Sequence, residues 1–279
     1  MELDLSSFDS IQRFSDDFLQ NEQRLDILVN NAGMMLDAEA PVLTEDGIEM
    51  HLMVNHLGHM FLTQNLLELL KKSGPGSRVI SVSDKGHEWA NPTAFKNLND
   101  LKVDGSADYV ILERATSTPR SLDLNWHIWK PLLLQPACIR YFNSKLATTL
   151  FSKELSKRLA GSGVTTYALH PGAILTDIGV DRSSNQDTKG IWLMYAMAQL
   201  PDFIQPLTFA FKSLAEGAQT SICCAVNEEL AAESGLFYAD CVSDPVYREE
   251  MNDEFTARFW EWSESLIREA RNKPSRAEM

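Results

Sequence analysis

Hydrophobic positions along the chain follow two periods, and the switches between them mark the elements. Ile11, Phe14, Phe18 and Leu19 recur at helical spacing behind Ser6 or Ser7, either of which can cap. Leu25–Val29 is a short apolar run with β-branched residues, ending in Asn30-Asn31-Ala32-Gly33, which predicts a buried parallel strand feeding a turn. Ile48, Leu52, Leu57, Phe61, Leu66 and Leu70 return to helical spacing, with Thr44-Glu45-Asp46 as the expected cap and Lys71–Gly76 as the stop. Arg78–Ser83 reads as a second strand. From Asp84 to Arg140 no period survives, and the stretch holds Pro92, Pro119, Pro131 and Pro136. Order returns with a helix over Tyr141–Ala160, a third strand over Gly163–Leu169 and a loop at His170-Pro171-Gly172. A helix over Ser213–Val226, a short strand at Leu236–Tyr238 and a terminal helix over Asp253–Ala270 complete the pattern. Strands alternating with helices predict an α/β fold around a parallel sheet, with neither repeats nor low-complexity tracts.

Composition narrows the class. With 279 residues, 44% apolar, the chain suits one large globular domain or two small ones and can bury a core, and a single domain is expected. Its net charge of −14 argues against nucleic acid and anionic membrane surfaces as partners. Of the four cysteines, Cys138, Cys223, Cys224 and Cys241, none forms Cys-x-x-Cys. With no secretory signal pattern, reduced thiols in an intracellular setting are expected. The most apolar stretch, Ile191–Phe211, is interrupted by Gln199, Pro201, Asp202, Gln205 and Pro206, so no transmembrane span is expected. His51, His56 and His59 lack the i, i+4 spacing of a helical zinc pair, so no metal site is expected and the three read as solvated or capping. Cys223-Cys224 and the aromatics around Trp260 read as packing.

The candidate chemistry lies in Tyr141-Phe142-Asn143-Ser144-Lys145. Positions four apart share a helix face, so this places a phenol one turn from an ammonium. The ammonium favours the phenolate and should lower the Tyr141 pKa, letting it exchange a proton with a substrate oxygen near neutral pH.

Three further segments accompany that pattern in order: Asn30-Asn31-Ala32-Gly33, Asn55 within Met53–His56, and His170-Pro171-Gly172. Together the four resemble the short-chain dehydrogenase/reductase family, nearest its retinol-dehydrogenase-like branch, over residues 1–83 and 141 to about 250. The resemblance implies a Rossmann-type doubly wound parallel sheet and NADP or NAD as cofactor. It also implies hydride transfer between that cofactor and an alcohol or carbonyl substrate of retinoid, steroid or lipid-aldehyde type. Tyr141 would be the proton donor or acceptor, and Lys145 would hold the nicotinamide ribose. Asn55 would hold a water in the proton relay. Asn31, Ala32 and Gly33 would meet the ribose side, Asp4 the adenine, Pro171 and Gly172 the nicotinamide, and Thr176 its carboxamide. Members are often tethered through an N-terminal segment that this chain lacks, so a cytoplasmic or endoplasmic-reticulum-associated setting is expected.

The chain departs from that pattern in three places. The family opens with a strand and a glycine-rich turn that cradles the pyrophosphate, whereas the first glycine here is Gly33. The expected sheet is therefore incomplete, lacking its first strands and that turn and leaving an unpaired edge beside Leu25–Val29. Second, the strand that ends Val-Ser-Ser in this branch ends Val82-Ser83-Asp84 here. The catalytic serine position falls on Asp84, whose carboxylate would raise the Tyr141 pKa and repel a developing alkoxide. Ser83 is the candidate substitute, and only if the strand slips by one residue. Third, 57 positions separate Asp84 from Tyr141, about twice the family's interval, which marks residues 110–140 as an insert. The insert is either a lid beside the site or sequence foreign to the fold from a misplaced exon boundary, and its pairing with an absent start favours the second.

Two functions follow. One is an oxidoreductase of this family whose activity, without the cradle and with Asp84, is expected to be low or nil. The other is a catalytically inactive relative that pairs with another chain, as a homodimer or otherwise, through its helices and exposed strand edge.

Overall fold

A computed structural model describes residues 1–36, 38, 40–88, 90, 136–172, 174, 212–245 and 252–272. Five strands form one sheet in sequence order: β1 (Ile27–Asn30), β2 (Arg78–Val82), β3 (Thr165–His170), β4 (Leu236–Ala239) and β5 (Val242–Ser243). The first four are parallel and β5 returns antiparallel. This is the expected α/β architecture, and no slip displaces β2: its residues pair in unbroken register with β3, from Arg78–Thr165 to Val82–Leu169.

Side-chain alternation along β2 divides the core. Val79 joins α1 (Phe8–Asn21), α3 (Gly58–Ser73), α4 (Pro136–Arg158) and α6 (Asp253–Arg271) in the larger apolar layer. Ile80 and Val82 face the other way, with Tyr167, Leu169 and Tyr238, under α5 (Leu214–Val226). Helices on both faces make the sheet doubly wound. Trp260 packs as expected, stacked on Phe151 at 5.6 Å beneath the Arg158 guanidinium. All four cysteines are free, and burial pushes the Cys224 thiol up to about 12. Among the described residues, β1 has a neighbour on one side only, leaving Ile27 and Val29 exposed at 38% and 42%. Also among these residues, no helix is long and apolar enough to cross a membrane.

Ser7 caps α1, accepting the Ser10 N–H. The long second helix begins later than Thr44–Asp46 would have it. Residues 42–50 make a tight reversal, in which Gly47 N–H donates to Thr44 O and Met50 N–H to Val42 O. The helix then starts as α2 (Met50–Leu52), capped by the Glu49 carboxylate, which accepts the Leu52 N–H. It passes through a π-helical turn, Met53–Leu57, and continues as α3. Conversely, α4 starts five residues ahead of Tyr141, so the last residues assigned to the insert form its first turn. Residues 110–135 of the insert, Thr176 and the Ile191–Phe211 stretch lie outside the described residues.

Candidate active site

Parallel strands bring their C-terminal ends to one edge, where ligands bind in open α/β sheets. Here that edge collects the loops after Asn30, Val82 and His170, and α4 runs across it with Tyr141 and Lys145 buried one turn apart. A Cβ on Gly33 would stand 3.2 Å from Lys145 Nζ and 3.3 Å from Asn55 Oδ1. The backbone approaches both groups because glycine has no side chain.

Asn55 sits in the π-helical turn and joins three segments. Its Oδ1 accepts the Met34 N–H at 2.8 Å, while Nδ2 donates to Met34 O at 3.0 Å and to Ser144 Oγ at 2.9 Å. Ser144 in turn donates to Tyr141 O at 2.7 Å. The Asn55 carbonyl accepts from Thr148 Oγ1 at 2.9 Å and faces His59 Nδ1 at 3.3 Å. A π-helical turn loosens the regular i to i−4 ladder, which suits a carbonyl with partners on other elements.

Lys145 Nζ donates to Val82 O at 3.0 Å and lies 5.6 Å from the Tyr141 ring centre. The expected lowering of the Tyr141 pKa is not what this geometry produces. Burial raises the phenol well above its ordinary value, and the Asp84 carboxylate adds to the rise. Burial brings Lys145 down to about 8, opposed by Asp84. Both groups are desolvated, which penalises their charged forms, and the ammonium is engaged with the Val82 carbonyl.

Asp84 stands beside this pair, its Oδ1 accepting the Gly86 N–H at 2.6 Å and its Oδ2 3.7 Å from His170 Nδ1. Lys85 N–H donates to His170 Nδ1 at 3.2 Å, and Lys85 Nζ reaches Asp244 at 3.1 Å. Burial lowers the His170 pKa while Asp84 opposes it. Ser83 faces the other way, as strand alternation requires. Its hydroxyl donates to Lys145 O at 2.8 Å and meets Thr149 Oγ1 at 2.9 Å.

The remaining candidates are spread out. Asn31 and Ala32 are exposed beyond β1, with Asn31 N–H donating to Val29 O. Asp4 closes the turn into α1, its Oδ1 accepting from Ser6 N–H at 2.8 Å and Ser6 Oγ at 2.7 Å. Pro171 and Gly172 follow β3, and Gly172 has φ +96°. A Cβ there would fall 2.5 Å from Lys212 Cδ, and the Lys212 ammonium pairs with Asp240. The three helix histidines are buried rather than solvated: His51 lies against Glu49, His56 against Ser263, and His59 at the Asn55 carbonyl. Sequence reasoning passed over Thr148, Glu49 and Arg140. The available signal was polar side chains at positions that helix spacing places inward.

A profile of the short chain dehydrogenase family matches residues 1–93. Retinol dehydrogenase 11 of Mus musculus is 36% identical over 266 residues, covering 95% of this chain and 68% of that protein. Retinol dehydrogenase 13 of Homo sapiens is 37% identical over 265 residues, covering 95% and 67%. Among solved structures, the Pseudomonas aeruginosa RhlG/NADP active-site complex superposes with a TM-score of 0.53 at 20% identity, covering 85% of this chain and 73% of that one. The 3-alpha-hydroxysteroid dehydrogenase of Pseudomonas sp. B-0831 complexed with NADH also gives 0.53, at 16% identity, covering 85% and 80%. These likenesses make the fold Rossmann-type, and with its retinol-dehydrogenase relatives the chain belongs to the short-chain dehydrogenase/reductase family.

Proposed function

We propose that this chain is a nicotinamide-dependent oxidoreductase that interconverts a carbonyl and an alcohol, with Tyr141 giving the proton in the reductive direction. The observation that carries this reading is the convergence of Gly33, Asn55 and Lys145 beside Tyr141, from segments far apart in sequence. The residues present fit the nicotinamide-ribose end of such a cofactor. They offer a side-chain-free backbone at Gly33, an adjoining buried ammonium, and exposed Asn31 and Ala32 at a strand end. Lys145 and Asn31 would hold the ribose side, Pro171, Gly172 and Thr176 the nicotinamide, and Asp4 the adenine. NADP and NAD are both admitted. When bound, the nicotinamide supplies or takes the hydride.

The chain's own residues would manage the proton and the water. A phenol whose pKa is raised by burial and Asp84 stays protonated at neutral pH. It can therefore donate to a carbonyl oxygen but is a poor base towards an alcohol, which favours reduction. Lys145, at about 8, is mainly cationic at pH 7 and held by the Val82 carbonyl. Phe142 and Met35 pack with Tyr141 and keep solvent from its ring. Ser83, tied to the α4 backbone, would support that helix rather than touch substrate.

One observation favours a second reading, an inactive relative that works by pairing with another chain. Asp84 brings negative charge to the place where an alkoxide develops. Turnover should accordingly be slow. The deciding experiment follows NADPH and NADH absorbance with a retinoid aldehyde and a steroid ketone, beside calorimetric titration of each nucleotide. Turnover that falls roughly 10²–10⁴-fold in Tyr141→Phe supports the oxidoreductase, the range typical of one lost proton transfer. Nucleotide binding without turnover supports the second reading, and neither binding nor turnover overturns the first.

A further inference from the structure

Beyond the family motifs, a second buried polar cluster sits next to Tyr141. Glu49, His51 and Arg140 have side chains exposed by only 4%, 1% and 3%. Among the described residues the Glu49 carboxylate meets Leu52 N–H at 3.0 Å, His51 Nδ1 at 2.5 Å and Arg140 Nε at 3.7 Å. Leu36 N–H donates to His51 Nε2 at 2.9 Å. That contact settles the tautomer: Nε2 must offer a lone pair, so Nδ1 carries the hydrogen and donates it to Glu49. The Arg140 guanidinium donates to Ala38 O.

These contacts form a pattern with those of Asn55. Alternate residues from Met34 onward, namely Met34, Leu36 and Ala38, are each held by a side chain from the α2 and π-turn stretch or from α4. Asn55 takes Met34 at both its N–H and its carbonyl, His51 takes Leu36, and Arg140 takes Ala38. These backbone groups of Met34, Leu36 and Ala38, which have no partner strand among the described residues, are thus satisfied by side chains. Between them, Met35 packs on the cluster containing Tyr141 and Phe142, and the His51 ring meets the Tyr141 ring edge-on at 6.4 Å.

We propose that Glu49, His51 and Arg140 are positioning residues, a clamp that holds Leu36 and Ala38, and with them Met35, as the wall of the site against Tyr141. Glu49 is its centre, since one carboxylate caps the helix, fixes the histidine tautomer and faces the arginine charge. The consequence for catalysis rests on the oxidoreductase reading; the clamp itself does not.

The test separates the two. Hydrogen exchange at the Leu36 amide, read from peptides spanning Gly33–Ala38, needs no turnover. His51→Asn is too short to reach that amide and should speed its exchange by at least about fivefold, the scale of one lost hydrogen bond. His51→Gln places an oxygen near the Nε2 position and should stay within about twofold of the native rate. Tyr141→Phe should leave the exchange unchanged. In the reductase assay, His51→Asn should raise KM by more than it lowers kcat, and His51→Gln should restore it. Equal exchange in all variants, or His51→Gln exchanging as fast as His51→Asn, overturns the clamp whatever the assay shows. A native protein without turnover whose Leu36 exchange follows this order removes the oxidoreductase reading and keeps the clamp.

Discussion

The two sides of the cleft are built by opposite means. On the Asn55 side, Asn55, Ser144, Thr148, His51 and His59 are buried, and their hydrogen bonds run to backbone groups and neutral side chains, with the Glu49 carboxylate behind His51. On the Asp84 side, Asp84, His170 and Lys85 are partly exposed and carry or adjoin charge, with side chains 28%, 18% and 51% accessible. The first side fixes geometry, because buried polar groups tolerate few arrangements. The second sets the electrostatics of the proton, because its charge reaches Tyr141 and Lys145 without touching either. Shape and proton affinity can therefore be altered separately.

Acid should strike hardest at the helix that carries Asn55, through His59 on the cleft side and His56 on the face packed against α6. Burial lowers His56 to about 3 and His59 to about 4, against an ordinary value of 6.5. Between those values the unfolded chain binds protons that the folded chain refuses, so stability is full above about pH 6.5 and falls as pH drops through it. From pH 7 to pH 5 the loss is about 2 kcal/mol for each histidine. Urea denaturation at the two pH values measures it, and His56→Gln or His59→Gln should flatten the difference by that share. An unchanged difference in both variants would mean that these rings are hydrated.

Truncating Asn55 to Ala comes next. It removes three side-chain hydrogen bonds and strands the Met34 N–H, for a loss of about 3 kcal/mol in unfolding free energy. Asp84→Ala, on the exposed side, should change stability by less than about 1 kcal/mol. Comparable losses would erase the distinction between the two sides.

The smallest effect concerns rate. Asp84→Ser removes the carboxylate that holds protons on both Tyr141 and Lys145, so both pKa values should fall. Reductive kcat at neutral pH should rise by up to about tenfold, because the phenol stays protonated, becomes the stronger acid and no longer faces a like charge beside the developing alkoxide. Activity that depends on a cationic Lys145 should fade as pH climbs through about 8 in the native protein, and at lower pH in the variant. A pH profile of kcat for the two proteins checks both sign and size.

The sequence exposed what is periodic or punctuated. The first four strands and most of the helices came from hydrophobic spacing and turn residues, while the four site segments, and Asp84 as a wrong sign, came from the resemblance to a known family. What escaped depends on solvation and on partners distant in the chain. A Tyr and a Lys one turn apart suggest an acidic phenol, yet the effect reverses once both are buried and the amine meets Val82 O. His51, His56 and His59 look like solvated polar residues until Leu36 is brought to His51 and Ser263 to His56, and the packing around their helix buries all three. The helix start moved from Thr44 to Met50 because a reversal through Gly47 competed with the apparent cap.

The π-helical turn Met53–Leu57 concentrates the site's vulnerability on one carbonyl. A wide turn of this kind holds one residue more than a regular turn within a single revolution. Losing one codon there would let the helix close to its ordinary pitch, and the flanks would keep nearly the facing they have, with Glu49 and His51 still towards Leu36. What would go is the slack at Asn55: a regular ladder would claim its carbonyl, and Thr148 would lose its acceptor on this helix. The fold could absorb such a deletion, while the tie between this helix and α4 could not.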